Sequence, residues 1–446
     1  MSLAHYQKYK ESDNEWIGGV PAGWGLVPIK TVATCNDDVL SESTDDLYPI
    51  EYIEISDIDS YSGITKTSAL QFGGAPSRAR RIIKHGDILV STVRTYLRAI
   101  AAVDNPPDNL IASTGFAVIR PRRIESGFLG YVFQAEYLVS KIISYSVGVS
   151  YPAINASELM RFGIPFPPLE EQHAIVVFLD AETARIDTLI TEYETLIDLL
   201  KEKRQALISQ AVTKGLNPDV PMKDSGVEWL GEVPEGWKPI PLHSMSSDSN
   251  SLFTDGDWIE SKDLSDTGIR YITTGNVGEG FYKEQGAGFI SEETFVDLRC
   301  TKVKPGDILI SRLNIPIGRS CIIPEFFGYM VTSVDNVIFR PDRDFSRQFI
   351  TYMLSSKAHL ANMENLARGT TMQRISRSTL GSVKFCMPPP EEQHAIVAFL
   401  DAETARMDTL VQEAENGINL LRERRMTLIS DAVTGKIDVR DWKETM

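Results

Sequence analysis

PLEEQHAIVVFLDAETARIDTLI at residues 168–190 returns as PPEEQHAIVAFLDAETARMDTLV at residues 389–411, and across 168–213 and 389–434 the two copies share 32 of 46 residues. The 446-residue chain is therefore an internal duplication. No Pro or Gly interrupts the first copy from Glu170 to Thr213, and apolar residues recur there at steps of three and four: Leu179, Ile186, Leu189, Tyr193, Leu196, Leu200 and Leu207. That spacing predicts a coiled-coil seam on a helix of about 40 residues, roughly 60 Å long. The second copy continues the pattern with Leu400, Met407, Leu410, Ala414, Gly417, Leu421 and Leu428. Pairing is expected through Ile186, Leu189, Tyr193, Leu196 and Leu200 on one helix and Met407, Leu410, Ala414, Gly417 and Leu421 on the other. In an antiparallel pair, Tyr193 and Leu196 would fill space left by Ala414 and Gly417.

A second echo precedes each copy: KESDNEWIGGVPAGW (10–24) answers KDSGVEWLGEVPEGW (223–237). Between linker and helix lie two diverged heads that share only anchors, such as IIKHGDILVSTVR (82–94) with KVKPGDILISRLN (302–314). Short β-branched runs bounded by Gly-Asp turns or terminal prolines make each head β-rich. The fold class is α+β, with two β-rich domains separated by two long antiparallel helices. The expected division is head one at 1–167 with its linker at 10–25, helix one at 168–216, head two at 217–388 with its linker at 223–238, helix two at 389–437, and a tail at 438–446.

The net charge of −16 argues at first against nucleic acid, since neutralising phosphates drives most such binding. The excess acid, however, sits mainly on the helical copies: 168–222 hold 10 acidic and 5 basic residues, and 389–446 hold 12 and 7. Heads near balance with clustered arginines still allow a DNA face. Four cysteines without a CxxC pair suit a reducing compartment and give no metal site. The polar N-terminus and the lack of a membrane-length apolar run lead to an expected cytoplasmic location.

The PxxEQ helix start twice, the EWxGxVPxGW segment twice and two unlike heads together resemble the specificity subunits of type I restriction-modification systems, over nearly the whole chain. The resemblance implies a non-catalytic subunit whose heads are target-recognition domains, each reading half of a split, asymmetric site in double-stranded DNA. It also implies two modification (adenine methyltransferase) subunits and two restriction (motor-nuclease) subunits as partners. S-adenosylmethionine and ATP would bind on those partners, with no cofactor in this chain. No Walker loop, HExxH or Ser-His-Asp arrangement is present, which agrees with catalysis lying elsewhere. A stand-alone DNA-binding regulator and a structural scaffold are the rival readings.

Bases are read by side chains such as Arg on guanine and Asn or Gln on adenine, while contacts to the sugar-phosphate backbone position the protein. In head one the expected DNA-binding residues are Arg78, Arg80, Arg81, Thr92, Arg94, Tyr96, Arg98, Ser150, Tyr151 and Asn155. In head two they are Arg312, Asn314, Arg319, Thr370, Thr371, Met372, Gln373 and Arg374. By the resemblance, GVSYPAIN and RGTTMQRIS form the loop that differs between specificities. Partner docking is expected on charges repeated in both helices: Asp180, Arg185, Asp187 and Arg204, with Asp401, Arg406, Asp408 and Arg425.

Overall fold

A computed structural model describes residues 4–12, 15–286, 288–326, 328–369 and 372–443. The chain divides into two compact units, 1–193 with 415–446 and 194–414. These units cut across the division expected from the repeat. Each takes a head, the N-terminal half of that head's own helix, and the C-terminal half of the other helix. Antiparallel pairing is the cause, because it delivers the far end of each helix to the other copy's head.

In the first unit, strands Ala33–Cys35, Ile88–Ser91, Ile100–Ala102 and Phe116–Pro121 form an antiparallel sheet with Ile88–Ser91 and Phe116–Pro121 at its centre. Every side chain of Ile88–Ser91 is buried, as expected for a central strand covered on both faces. Strands Pro49–Ile53, Ser68–Gln71, Ala79–Ile82 and Leu110–Ser113 form a second sheet, in which Leu110–Ser113 runs parallel to Pro49–Ile53. Helices Ser126–Gln134 and Glu136–Ser144 carry Phe128, Leu129, Phe133 and Leu138 onto Ile175, Phe178 and Leu179 of the first long helix and Ile429, Ala432 and Val433 of the second. The second unit repeats the plan. Leu252–Asp255, Ile308–Ser311, Ser320–Ile322 and Asn336–Arg340 form its central sheet, and helices Arg347–Leu354 and Lys357–Leu366 pack against the long helices.

The Gly-Asp turns brace the central sheets. Asp87 accepts the Lys84 amide at 2.8 Å and both guanidinium arms of Arg120 at 2.7 Å. Asp307 does the same with Lys304 and Arg340 at 2.9, 2.7 and 2.7 Å. Hydrogen bonding to these carboxylates holds both guanidinium pKa values above their usual range.

The long helices run Leu169–Lys214 and Pro390–Val433. The repeated Glu-Gln at their starts has a definite task. Buried Gln172 accepts the Glu125 amide at 2.9 Å and donates to the Pro167 carbonyl at 2.8 Å; Gln393 does so with Ser346 and Pro388 at 2.8 and 2.9 Å. Glu171 accepts the Trp24 indole at 2.8 Å, and Glu392 that of Trp237 at 3.1 Å. The motif thus locks linker, head and helix together. The expected tail at 438–446 is packed where described: Ala4 bridges Asp438, and Trp442 meets the Phe178 ring at 5.3 Å.

The pairing seam differs from the expected one by a residue in places. Ile186, Met407 and Ala414 are buried, and Leu189, Tyr193, Leu200 and Leu421 are half-buried, but Leu196 and Leu410 are 42% and 40% exposed. Ile197 and Ile418 are buried at the seam instead. Within the first unit Tyr193 covers Gly417, where an added Cβ would lie 3.2 Å from the phenol ring. Gly417→Leu is expected to lower stability by about 1–2 kcal/mol, because overpacking outweighs the gain in helix propensity. Urea unfolding checks it, and an unchanged midpoint would remove the close approach from the account.

Candidate nucleic-acid interface

Each head carries the same pair of surface segments. The central strands Ile88–Ser91 and Ile308–Ser311 end in Ser91 and Ser311, whose hydroxyls donate to the carbonyls of Val93 and Leu313 at 2.5 and 2.9 Å and turn the chain outward. Beside that turn sits a hairpin, closed by the Val147–Ala153 bridge in head one and the Arg368–Arg374 bridge in head two. Strand-end loop and hairpin are stitched together through Val93–Ala153 and Leu313–Arg374. Gly148 and Gly369 open the hairpins at φ 125° and 108°, and a Cβ at either would crowd the backbone carbonyl of Tyr151 (3.1 Å) or Met372 (2.5 Å). The bridges and the turn glycine are shared, while the described side chains around them are not.

In head one, Arg78, Arg94 and Tyr151 gather around a cleft of about 490 Å³ that Glu54 and Ser113 also line. Arg94 lies over the exposed Tyr151 ring at 4.6 Å, and Arg78 pairs with Glu54 at 2.7 Å. Tyr96, Ser150 and Asn155 are exposed nearby in the chain. The remaining expected readers of this head are occupied in other ways. Arg80 stacks on Phe72 at 4.6 Å, Arg81 is half-buried in a strand, Thr92 donates to the Gly115 carbonyl at 2.9 Å, and Arg98 grips Glu136 through two bonds of 2.6 and 2.9 Å.

Head two requires a correction. Arg312 and Arg319 are 6% and 8% exposed, and their guanidinium groups turn inward. Arg312 donates to the carbonyls of Ile375 and Val334; Arg319 donates to those of Val277, Thr274, Asn314 and Pro316. Burial lowers the pKa of both. In this position they brace the loop from within. Asn314, Met372 and Arg374 are exposed, Gln373 is half-buried, and Arg374 pairs with Asp335 at 3.0 Å. Thr370 and Thr371 lie outside the described residues. Arg368, absent from the expected set, is exposed at the hairpin base. Its position directly before the turn glycine was the available signal.

Most of the expected docking charges are also spent internally. Arg425 binds Asp187 at 3.0 Å in the first unit, and Arg204 approaches Asp408 at 3.6 Å in the second, the same interhelical pair twice. Asp180 and Asp401 each accept a tyrosine hydroxyl from their own head, Tyr131 and Tyr352, at 2.6 Å. Five of the eight, Asp180, Arg185, Asp401, Arg406 and Asp408, are exposed all the same, Arg185 beside Glu182 at 3.8 Å. Among the described residues no helix is long and apolar enough to cross a membrane, and no cluster of His, Cys, Asp and Glu could hold a metal ion.

Residues 23–197 and 234–420 each match the family model described as the type I restriction modification DNA specificity domain. The chain is 25% identical to the putative type I restriction enzyme MjaX specificity subunit of Methanocaldococcus jannaschii, over 97% of this chain and 99% of the relative. It is 24% identical to the EcoKI specificity subunit of Escherichia coli K12, over 96% and 91%. Among solved structures, a chain from a study of complex assembly and conformational transition in a type I R-M system superposes with TM-score 0.72 at 23% identity, covering 94% of this chain and 99% of that one. The HsdS subunit from Thermoanaerobacter tengcongensis gives 0.54 at 23%, over 96% and 100%.

Proposed function

This chain belongs to the type I restriction-modification DNA specificity family, and we propose that its heads read the two halves of a split duplex target through their paired loops and hairpins. As a specificity subunit it is non-catalytic and works with DNA and the other subunits of its system. The observation that carries the proposal is the duplicated platform. One backbone, a strand-end loop bridged to a hairpin, presents Arg94 and Tyr151 in one head and Asn314, Met372 and Arg374 in the other. Unlike side chains on like supports suit unlike half-sites, and helix length would set the spacing between them.

Two methylating subunits, and with them two motor-nuclease subunits, fit the repeat in the helices. The charges first expected to dock them are largely used within the chain, so apolar equivalents are the better candidates. Leu199 and Leu420 occupy matching positions on the two helices and are 57% and 66% exposed beside clefts.

Replacing the Val149–Pro152 hairpin tip by glycines, in the chain expressed with its modification subunits, is expected to reduce adenine methylation at the native target at least about tenfold. Methylation-sensitive sequencing should show discrimination lost in one half-site only. Loss of preference in both halves, or in neither, would refute the assignment of one hairpin to one half.

A further inference from the structure

The strand-end loops contain two left-handed backbone positions at matching places in both heads. The first holds Arg94 at φ 52° and Asn314 at φ 63°; the second holds Arg98 at φ 54° and Gly318 at φ 82°. At the second place head two uses glycine, the residue that meets this conformation without a steric cost, while head one keeps an arginine whose guanidinium is engaged by Glu136. At the first place neither head uses glycine. Both side chains there are exposed, at the seam where loop and hairpin join.

Resting on the reading of the heads as DNA readers, we infer that this first left-handed position is the base-reading position of each head, Arg94 taking guanine and Asn314 taking adenine. Arg94 carries the argument. Asparagine is at ease in the left-handed region, whereas a long side chain is not; Arg98 in that conformation is anchored by Glu136, while Arg94 meets no carboxylate among the described residues. Its surroundings aim it: the Arg94 amide donates to the Pro152 carbonyl at 2.8 Å, and the guanidinium carbon stands over the Tyr151 ring, 4.6 Å from its centre. A flat guanidinium held in advance suits the two acceptors of a guanine edge. Asn314 follows by equivalence. Its carbonyl is gripped by buried Arg319 at 2.7 Å, which leaves the side-chain amide to offer the donor and acceptor that match adenine. Arg319 is then a positioning residue, and the unlike pair gives the two half-sites different bases at corresponding places.

The test uses the full chain assembled with its methylating subunits, and duplexes carrying the methylated motif of the host genome with every single-base substitution. Arg94→Gly and Asn314→Gly should melt at or above the wild-type temperature, because glycine relieves the backbone. On the native duplex each should bind about ten- to hundredfold more weakly. Discrimination should vanish at one guanine of one half-site for Arg94→Gly and at one adenine of the other for Asn314→Gly. A lowered melting temperature, an unchanged discrimination profile, or a loss spread evenly over all duplexes would each overturn the inference, the last by making these phosphate contacts. A wild-type complex without preference for any split duplex would overturn the DNA reading itself.

Discussion

Asp307→Ala is expected to cost about 3–5 kcal/mol, the penalty for removing one partner of a buried ion pair. The carboxylate is 1% exposed and takes three bonds: the Lys304 amide that closes the turn, and both arms of Arg340 from the neighbouring strand. Without it, Arg340 keeps its charge beside a cavity and the turn loses its anchor. Asp87→Ala should behave alike in the first unit, where Asp38 also reaches Arg120 at 2.5 Å and softens the loss. Urea unfolding of the full chain measures both. A loss under about 1 kcal/mol for Asp307→Ala would mean that water readily replaces the carboxylate.

His359 should make the second unit sensitive to acid. Its ring is fully buried, with the Gly318 backbone as its polar neighbour; Trp229 and Phe385 stand at 6.0 and 5.3 Å between ring centres. The matching residue in head one is Leu138, an ordinary core side chain. Burial pushes the imidazole pKa down from 6.5 to about 3. Since the folded value is depressed, the unfolded chain binds the extra proton below pH 6.5. The contribution of the neutral ring is complete above that value and fades as pH falls towards 3. The expected loss is about 2 kcal/mol between pH 7 and pH 5, and about 4 kcal/mol by pH 3.5. His359→Leu, which copies the other head, should abolish that part of the slope. Parallel stability curves for the two proteins would dismiss the histidine as its source.

The helices and their pairing were legible because a 46-residue repeat with three-four spacing admits few other structures. Their exact seam was not. Leu189-Ile190, Leu196-Ile197 and Gly417-Ile418 each offer neighbouring choices that periodicity ranks equally, and packing put Ile197 and Ile418 inside. The repeated charges misled for a related reason. Recurrence in both copies is what a docking site requires, but it is equally what a symmetric interhelical pair such as Asp187–Arg425 requires, and residues so far apart in sequence show no local pattern. In the heads, the strand-end loop and hairpin could be located from the GDIL anchor and the turn glycines. Whether an arginine there faced water depended on nearby carbonyls, so Arg94 and Arg312 looked alike until the fold separated them.

The interleaved division of the chain also sets a timetable for synthesis. Residues 194–414 form one unbroken stretch, so that unit has all its parts while the ribosome is still making the last segment. The first unit, although its residues 1–193 precede that stretch, lacks Ile429, Ala432 and Val433 until residues 415–446 follow. Ile175, Phe178 and Leu179, which Phe128, Leu129, Phe133 and Leu138 cover from the head side, must wait for the rest of their cover through more than two hundred intervening residues. The head that precedes residues 194–414 is thus completed after them, and a nascent chain is most exposed to aggregation at the helix that residues 415–433 will cover.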